Sequence, residues 1–110
     1  MTYETVRQLG LALPGAEEST SYGTPALKVK GKLFVRLKED NETIVIQMPF
    51  DRRAELIESD PETYYLTDHY EPYEYVLVHL SKVHPDALRD LLILSHRMAS
   101  QQSRKKKSKK

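Results

Sequence analysis

The sequence predicts a single α+β domain, a two-layer sandwich in which helices cover one face of an antiparallel sheet. Three observations lead to this fold class. A chain of 110 residues that is 39% hydrophobic suffices for one domain with a buried core. Its hydrophobic patterns succeed one another in the order helix, three strands, helix, two strands, helix. The strands are short and close together in sequence, which favours antiparallel pairing and a two-layer arrangement.

The first half of the chain contains one helix and three strands. Hydrophobic side chains recur at helical spacing over 2–13, where Thr2 can cap the helix and Pro14-Gly15 ends it. The following residues, which include Glu17 and Glu18, are interpreted as a turn, and Tyr22 is expected to pack while Gly23 permits a bend. The strands are predicted at 26–30, 33–38 and 43–48.

The alternation of the strands predicts which side chains share a face. For both hydrophobic sets to face the core, Val29 must oppose Leu33, which predicts a three-residue loop over 30–32. Leu33, Val35 and Leu37 then point inward. The other face is expected to stay open and to carry Lys28, Lys30, Phe34, Arg36, Lys38, Tyr75 and His79.

The second half predicts a helix at 51–60, a short strand at 64–66 and a strand at 74–80. A last helix begins near Pro85, where His84 can cap it, and Ser95 is expected to bond a carbonyl one turn back. The pattern ends near residue 100. It predicts a domain at 1–100 and a disordered basic tail at 101–110.

Charge is divided unevenly along the chain. Six of the 17 basic residues lie in 104–110, so the first 103 residues carry 11 basic and 16 acidic side chains, a net charge of −5. An acidic body with a basic tail repels a nucleic-acid backbone except at local basic patches. The N-terminus has no apolar signal-peptide core and no apolar run is long enough to span a membrane, so a cytoplasmic location is expected.

A basic hairpin is the sharpest candidate site, since alternate cations beside aromatic rings can hold phosphates and stack a base. The alternative is a solvated strand face whose lysines block edge pairing. The tail can bind nucleic acid or an acidic partner, or can simply solubilise the chain end. The nucleic-acid-binding candidates are Lys28, Lys30, Lys32, Phe34, Arg36, Lys38, Arg104, Lys105, Lys106 and Lys107.

Five of the seven tyrosines lie between Tyr64 and Tyr75, a cluster rich in anchors for an interface or pocket. The alternative is that they cover the sheet edge. Ile93 lies on the far side of the last helix and leaves room for a homodimer. The predicted interaction surface, for a second copy or another protein, is therefore Tyr70, Tyr73, Tyr75 and Ile93.

Several kinds of chemistry find no support in the sequence. The chain has no cysteine, which excludes disulfides and thiolate chemistry. Its four histidines lack metal-ligand spacing, and Ser95 and His96 diverge on a helix, so they form no catalytic dyad. We therefore predict no catalytic residue, no metal and no cofactor; an enzyme ranks third among the functions considered.

The order of short motifs resembles that of the MmcQ/YjbR family of small bacterial domains. The matching residues are Pro14-Gly15, Glu17-Glu18, Tyr22-Gly23, Gly31-Lys32, His69-Tyr70, Tyr73 and Ser95-His96-Arg97. Two positions depart from the pattern, because relatives often carry tryptophan at Tyr75 and an aromatic residue at His96. The resemblance implies a fold like that of type III secretion chaperones. It also implies DNA binding, the common label of the family; the alternative is a chaperone-like protein-interaction module.

Overall fold

The computed structural model describes the backbone of residues 1–108 and the side chains of residues 1–101. One antiparallel sheet contains six strands in the order β1-β2-β3-β4-β6-β5. The strands are β1 (Ala16–Ser21), β2 (Thr24–Val29), β3 (Lys32–Leu37), β4 (Thr43–Gln47), β5 (Tyr64–Tyr65) and β6 (Tyr75–His79). The helices are α1 (Tyr3–Leu11), α2 (Phe50–Ser59) and α3 (Pro85–Ser108). The predicted α+β sandwich is confirmed.

Helices α1 and α3 pack on one face of the sheet, which we call the helix face, and bury the main core there. Alternate residues of the central strands supply this core, such as Leu27, Val35, Ile46 and Val76, which form one row across the sheet. Helix α2 lies against β5 and β6 at one edge. No described helix combines the length and apolar content needed to cross a bilayer.

Strand β1 is an element that the sequence did not predict. Its residues were interpreted as a turn because Ala16–Ser21 has no hydrophobic alternation: every side chain after Ala16 is polar, which suits a sheet edge. A two-residue turn joins it to β2, with positive φ at Tyr22 (55°) and Gly23 (80°). The expectation that Tyr22 packs was wrong, since this residue is 75% exposed.

The turn between β2 and β3 is also shorter than predicted. Val29 opposes Lys32, so the loop is the pair Lys30-Gly31, with φ of 53° and 78°. Positive φ at both positions is typical of the tight hairpin turn that matches strand twist. A two-residue loop would put the hydrophobic residues of β3 on the wrong face, because side chains alternate with a period of two.

A β-bulge at Phe34 restores the inward alternation. Lys28 pairs with Leu33 and Leu27 pairs with Val35, which leaves Phe34 as the extra residue of β3. Phe34 is completely buried and its ring meets that of His96 edge-on, with centroids 5.5 Å apart. The prediction was therefore wrong for these two neighbours: Phe34 faces the core, and Leu33 faces the opposite side of the sheet.

We call the face opposite α1 and α3 the second face. The sequence predicted that this face is open, but its centre is buried. Val45 and Leu77 project from it and are at most 1% exposed. Residues 66–74, the connection between β5 and β6, which we call the aromatic loop, lie over this face and line a cleft together with Val45. A hydrogen bond of 2.9 Å from Arg36 Nη2 to Tyr70 Oη ties this loop to the sheet.

Two of three predictions about side-chain hydrogen bonds in the helices are confirmed. Ser95 Oγ donates to Leu92 O at 3.0 Å, and Asp86 N donates to His84 Nδ1 at 3.2 Å in the first turn of α3. Thr2 occupies the N-cap position of α1 but its side chain makes no capping hydrogen bond.

The predicted disorder of residues 101–110 and the domain boundary at residue 100 stay predictions. Helix α3 is described to Ser108, while side chains from 102 onward and the last two residues lie outside the described part of the chain.

Asp40 closes the β3–β4 turn and makes stability dependent on pH. Burial alone would raise the pKa of its carboxyl, but hydrogen bonds from Glu42 N, Thr43 Oγ1 and Thr43 N lower it below 3.8. A folded-state pKa below the unfolded one adds stability above about pH 4, which is lost as the carboxyl protonates. We expect Asp40→Ala to cost about 1 kcal/mol at pH 7 and less at pH 2.5, measured by urea denaturation. Asp68→Ala, at an exposed residue, is the control; a loss at Asp40 that does not shrink with falling pH would contradict this role.

Candidate functional site: an aromatic cleft and a basic end

A cleft of about 310 Å³ opens on the second face between the β1–β2 turn and the aromatic loop. Aliphatic side chains of β3 and β4 form part of its floor and four tyrosines form its walls. The lining residues are Ser21, Tyr22, Leu33, Arg36, Val45, His69, Tyr70, Tyr73 and Tyr75. We call this the aromatic cleft.

Arg36 lies in the cleft floor and is only 4% exposed. Its Nη1 donates to Thr24 Oγ1 and Leu37 O, both at 3.1 Å, and its Nη2 donates to Tyr70 Oη. Its Nε is buried without a hydrogen-bond partner. Among the described residues, the carboxylate in salt-bridge range is that of Glu39, which is 3.6 Å from Nη1 and mostly exposed. The buried cation therefore has one long ion pair to balance it.

Two exposed tyrosines flank the mouth of the cleft. The ring of Tyr22 lies over the Arg36 guanidinium, with 5.0 Å from Cζ to the ring centroid. Tyr73, on the aromatic loop, is 56% exposed. Deeper in, burial raises the pKa of Tyr75, and the nearby Tyr70 and Tyr22 raise it further. Tyr75 is thus a neutral hydroxyl at physiological pH.

A second buried arginine holds the aromatic loop in place. Arg53 of α2 is 8% exposed; its Nη1 donates to Tyr73 O at 2.6 Å and Tyr75 O at 3.2 Å, and its Nη2 donates to Glu71 O at 3.0 Å. Sequence reasoning missed this residue. A signal was present, since Arg53 precedes Leu56 and Ile57 by three and four residues and so shares their inward side of α2.

A basic end lies away from the cleft, where the β2–β3 turn approaches α3. Strand β2 ends at Val29, which pairs with Ala16, directly after Pro14-Gly15. The carbonyl of Pro14 accepts a hydrogen bond of 2.6 Å from His96 Nε2, which must carry the proton because a carbonyl only accepts. Helix α3 therefore passes close to the Lys30-Gly31 turn and to Lys32 at the start of β3.

The same stretch of α3 leads into the basic segment. Arg97, Ser100 and Gln101 line a groove with Leu13 and Pro14. The backbone of α3 continues from there to Ser108. We define the basic end as Lys30, Lys32, Arg97 and residues 104–107; the side chains of the last four lie outside the described residues.

Comparisons with known proteins agree with this architecture. The sequence model of the YjbR family matches residues 11–98. The chain belongs to the YjbR family. A crystal structure of the Deinococcus radiodurans protein DR2400, assigned to the domain family DUF419, superposes with a TM-score of 0.73 at 22% identity. The match covers 86% of this chain and 75% of that one, and shows the shared fold. No curated protein matches the sequence significantly.

Within this YjbR-family protein, two of the predicted nucleic-acid contacts are buried residues. Phe34 is in the core, where it cannot stack on a base, and the Arg36 guanidinium lies in the cleft floor, under the ring of Tyr22 and hydrogen-bonded to Tyr70. Lys28 and Lys38 do lie on the second face, beside the cleft. Among the described residues, neither they nor Lys32 takes part in a salt bridge.

Acidic neighbours weaken the field of the two lysines on the second face. Glu17 is the direct cross-strand partner of Lys28. Lys38 is close enough to Glu39 and Asp40 to contribute to lowering the pKa of both carboxyls. These carboxylates reduce the positive potential that the two lysines offer to a phosphate.

The predicted interaction surface is divided between two places. Tyr70, Tyr73 and Tyr75 meet in the aromatic cleft, whereas Ile93 lines the groove beside Leu13. Three of the five clustered tyrosines therefore line a concave site. Among the described residues, no group of three or more histidine, aspartate or glutamate side chains is placed to hold a metal ion.

Proposed function

We propose that this YjbR-family protein binds nucleic acid non-specifically, by phosphate contacts at the basic end. The observation that supports it is the hydrogen bond from His96 to Pro14 O, which brings the stretch of α3 that carries Arg97 toward the β2–β3 turn, in a chain whose first 103 residues are net acidic. Lysine and arginine side chains that neutralise phosphates release counterions, and this release drives binding regardless of base sequence.

The charge distribution sets the expected strength and selectivity. The net charge of −5 over the first 103 residues repels the rest of the nucleic acid, which keeps the affinity in the micromolar range or weaker. Because Phe34 is buried, the hairpin has no ring to stack on a base. Duplex and single-stranded DNA should therefore bind similarly.

The first test measures the salt dependence of binding to a labelled duplex by fluorescence anisotropy. We expect a Kd of about 10⁻⁵ M at low salt, and log K falling linearly with log salt by about 0.9 per phosphate contact. Deletion of residues 104–110 removes six cations and should flatten this slope markedly. Absence of binding by the full chain at the lowest salt would refute the proposal.

A matched pair of charge reversals locates the contact. Lys32→Glu with Arg97→Glu alters the basic end, while Lys82→Glu with Arg89→Glu makes the same change at exposed residues near the start of α3. The first pair should weaken binding at least tenfold and the second only severalfold, through the change in net charge. Equal losses would show that no particular end of the molecule makes the contact.

A further inference from the structure

We propose that the aromatic cleft is a binding site for a small aromatic monocarboxylate, a planar ring with a single carboxylate group. This inference concerns a different site from the basic end and does not depend on nucleic-acid binding. It rests on the electrostatics of Arg36 and on the shape and lining of the cleft.

The first step is the incomplete charge balance of Arg36. A guanidinium that is 4% exposed has lost nearly all its hydration, and a buried charge requires a counter-charge close by. The carboxylate of Glu39 supplies this only partly, because it is 3.6 Å from Nη1 and its side chain is 58% exposed. An anion in the cleft would complete the balance.

The second step is the hydrogen-bonding capacity that remains on Arg36. Its five N–H groups have three acceptors, two on Nη1 and one on Nη2, and Nε has none. A carboxylate is the acceptor that matches the planar fork of arginine, because its two oxygens can take two parallel hydrogen bonds. Tyr70 Oη occupies the neighbouring Nη2 and is the group that a carboxylate would displace or join.

The third step is access. Nε has no contact with solvent in the present arrangement, so a ligand reaches it only if a covering side chain moves. Tyr22 covers Arg36, is 75% exposed and makes no hydrogen bond among the described residues, so a change of its side-chain rotamer costs little. Its ring can then stack on the ligand instead of on the guanidinium.

Size and charge narrow the ligand class. A volume of about 310 Å³ is at the small end of ligand pockets and suits one or two fused rings. Aromatic walls favour a planar ring over an aliphatic one. A single negative charge is favoured over several, because Glu39 borders the site and Glu71 lies on the same loop.

The test is a titration of the ¹⁵N-labelled full chain with indole-3-carboxylate, followed by NMR. We expect a Kd of about 0.1–1 mM, with shifts at Tyr22, Gly23, residues 69–75 and the Nε–H of Arg36. Indole-3-carboxamide lacks the charge, and cyclohexanecarboxylate lacks the aromatic ring. Each should bind at least tenfold more weakly than indole-3-carboxylate. Equal binding of either analogue, or the absence of shifts in the cleft at 10 mM, would overturn the proposal.

Variants separate the site from general anion attraction. Arg36→Lys keeps the charge and removes the planar fork, so binding should fall at least tenfold. Tyr22→Ala changes an exposed residue whose loss leaves the fold intact, and should weaken binding severalfold. Arg52→Lys, on the exposed side of α2, should have no effect.

Two further outcomes would count against the site. Shifts confined to Lys30 and Lys32 would mean that the anion is attracted only to the basic end. The second outcome is a dimer in sedimentation that dissociates in the Tyr73→Ala variant. It would mean that the exposed tyrosines form an interface between two copies of the chain, and that the cleft is closed in solution.

Discussion

Phe34→Ala should lower the free energy of unfolding by about 3–5 kcal/mol, the usual cost of truncating a fully buried phenylalanine. Because Phe34 is the bulged residue of β3, its ring points into the main core, where it meets the ring of His96 edge-on. Since a domain of this size has a total stability of about 5–15 kcal/mol, the variant should be only marginally folded.

Phe50→Ala is the matched control, because Phe50 is 47% exposed. It should cost about 1 kcal/mol or less, through the loss of its contact with the Arg53 guanidinium. Urea denaturation followed by circular dichroism measures both. Equal effects would mean that Phe34 lies on the surface, as its position in the strand alternation predicts.

Arg53→Met should cost about 2–4 kcal/mol and release the aromatic loop. The substitution keeps the aliphatic stem but removes charge-assisted hydrogen bonds to three carbonyls, whose contributions are not additive because water can replace part of them once the loop opens. The loss should be local, because Arg53 packs at the edge of the sheet and not within the main core.

Hydrogen exchange distinguishes a local from a global effect. In Arg53→Met, amides of residues 67–75 should exchange faster by a larger factor than those of β3 and β4. Arg52→Met, at the neighbouring exposed residue, should change stability by at most about 0.5 kcal/mol. If Arg52→Met and Arg53→Met behave alike, the arginine does not organise the cleft.

The fold was predictable where hydrophobic alternation is strong and fails where it is absent. The positions of all three helices and of the five strands from β2 onward follow from periodicity, capping residues and turn residues. Strand β1 was missed because a polar edge strand buries no face of its own, and its pairing depends on β2. The faces of Leu33 and Phe34 were predicted wrongly because two arrangements bring Val35 and Leu37 inward. One is a three-residue loop, and the other is a two-residue turn followed by a bulge at Phe34.

The site was harder to predict because it depends on contacts far apart in sequence. Arg36 resembles a surface cation in a strand, and its burial results from a loop 34 residues later. Residues of that loop, Tyr70 and Tyr73, were selected as binding candidates from their clustering, and both line the aromatic cleft. Their position over the second face depends on Arg53. Helical spacing indicates that Arg53 faces inward, but it does not indicate which carbonyl oxygens the arginine binds.

The edges of the sheet have a consequence for how this protein behaves at high concentration. Exposed backbone N–H and C=O groups on an outer strand invite further strands to add, and such addition leads to aggregation. Strand β5 offers only two residues for this, and β1 presents the adjacent carboxylates of Glu17 and Glu18. Glu18 is paired with Arg7 at 3.1 Å, so Glu17 is the carboxylate of β1 whose repulsion opposes the approach of a second molecule, and Glu17→Gln should favour fibrous assembly.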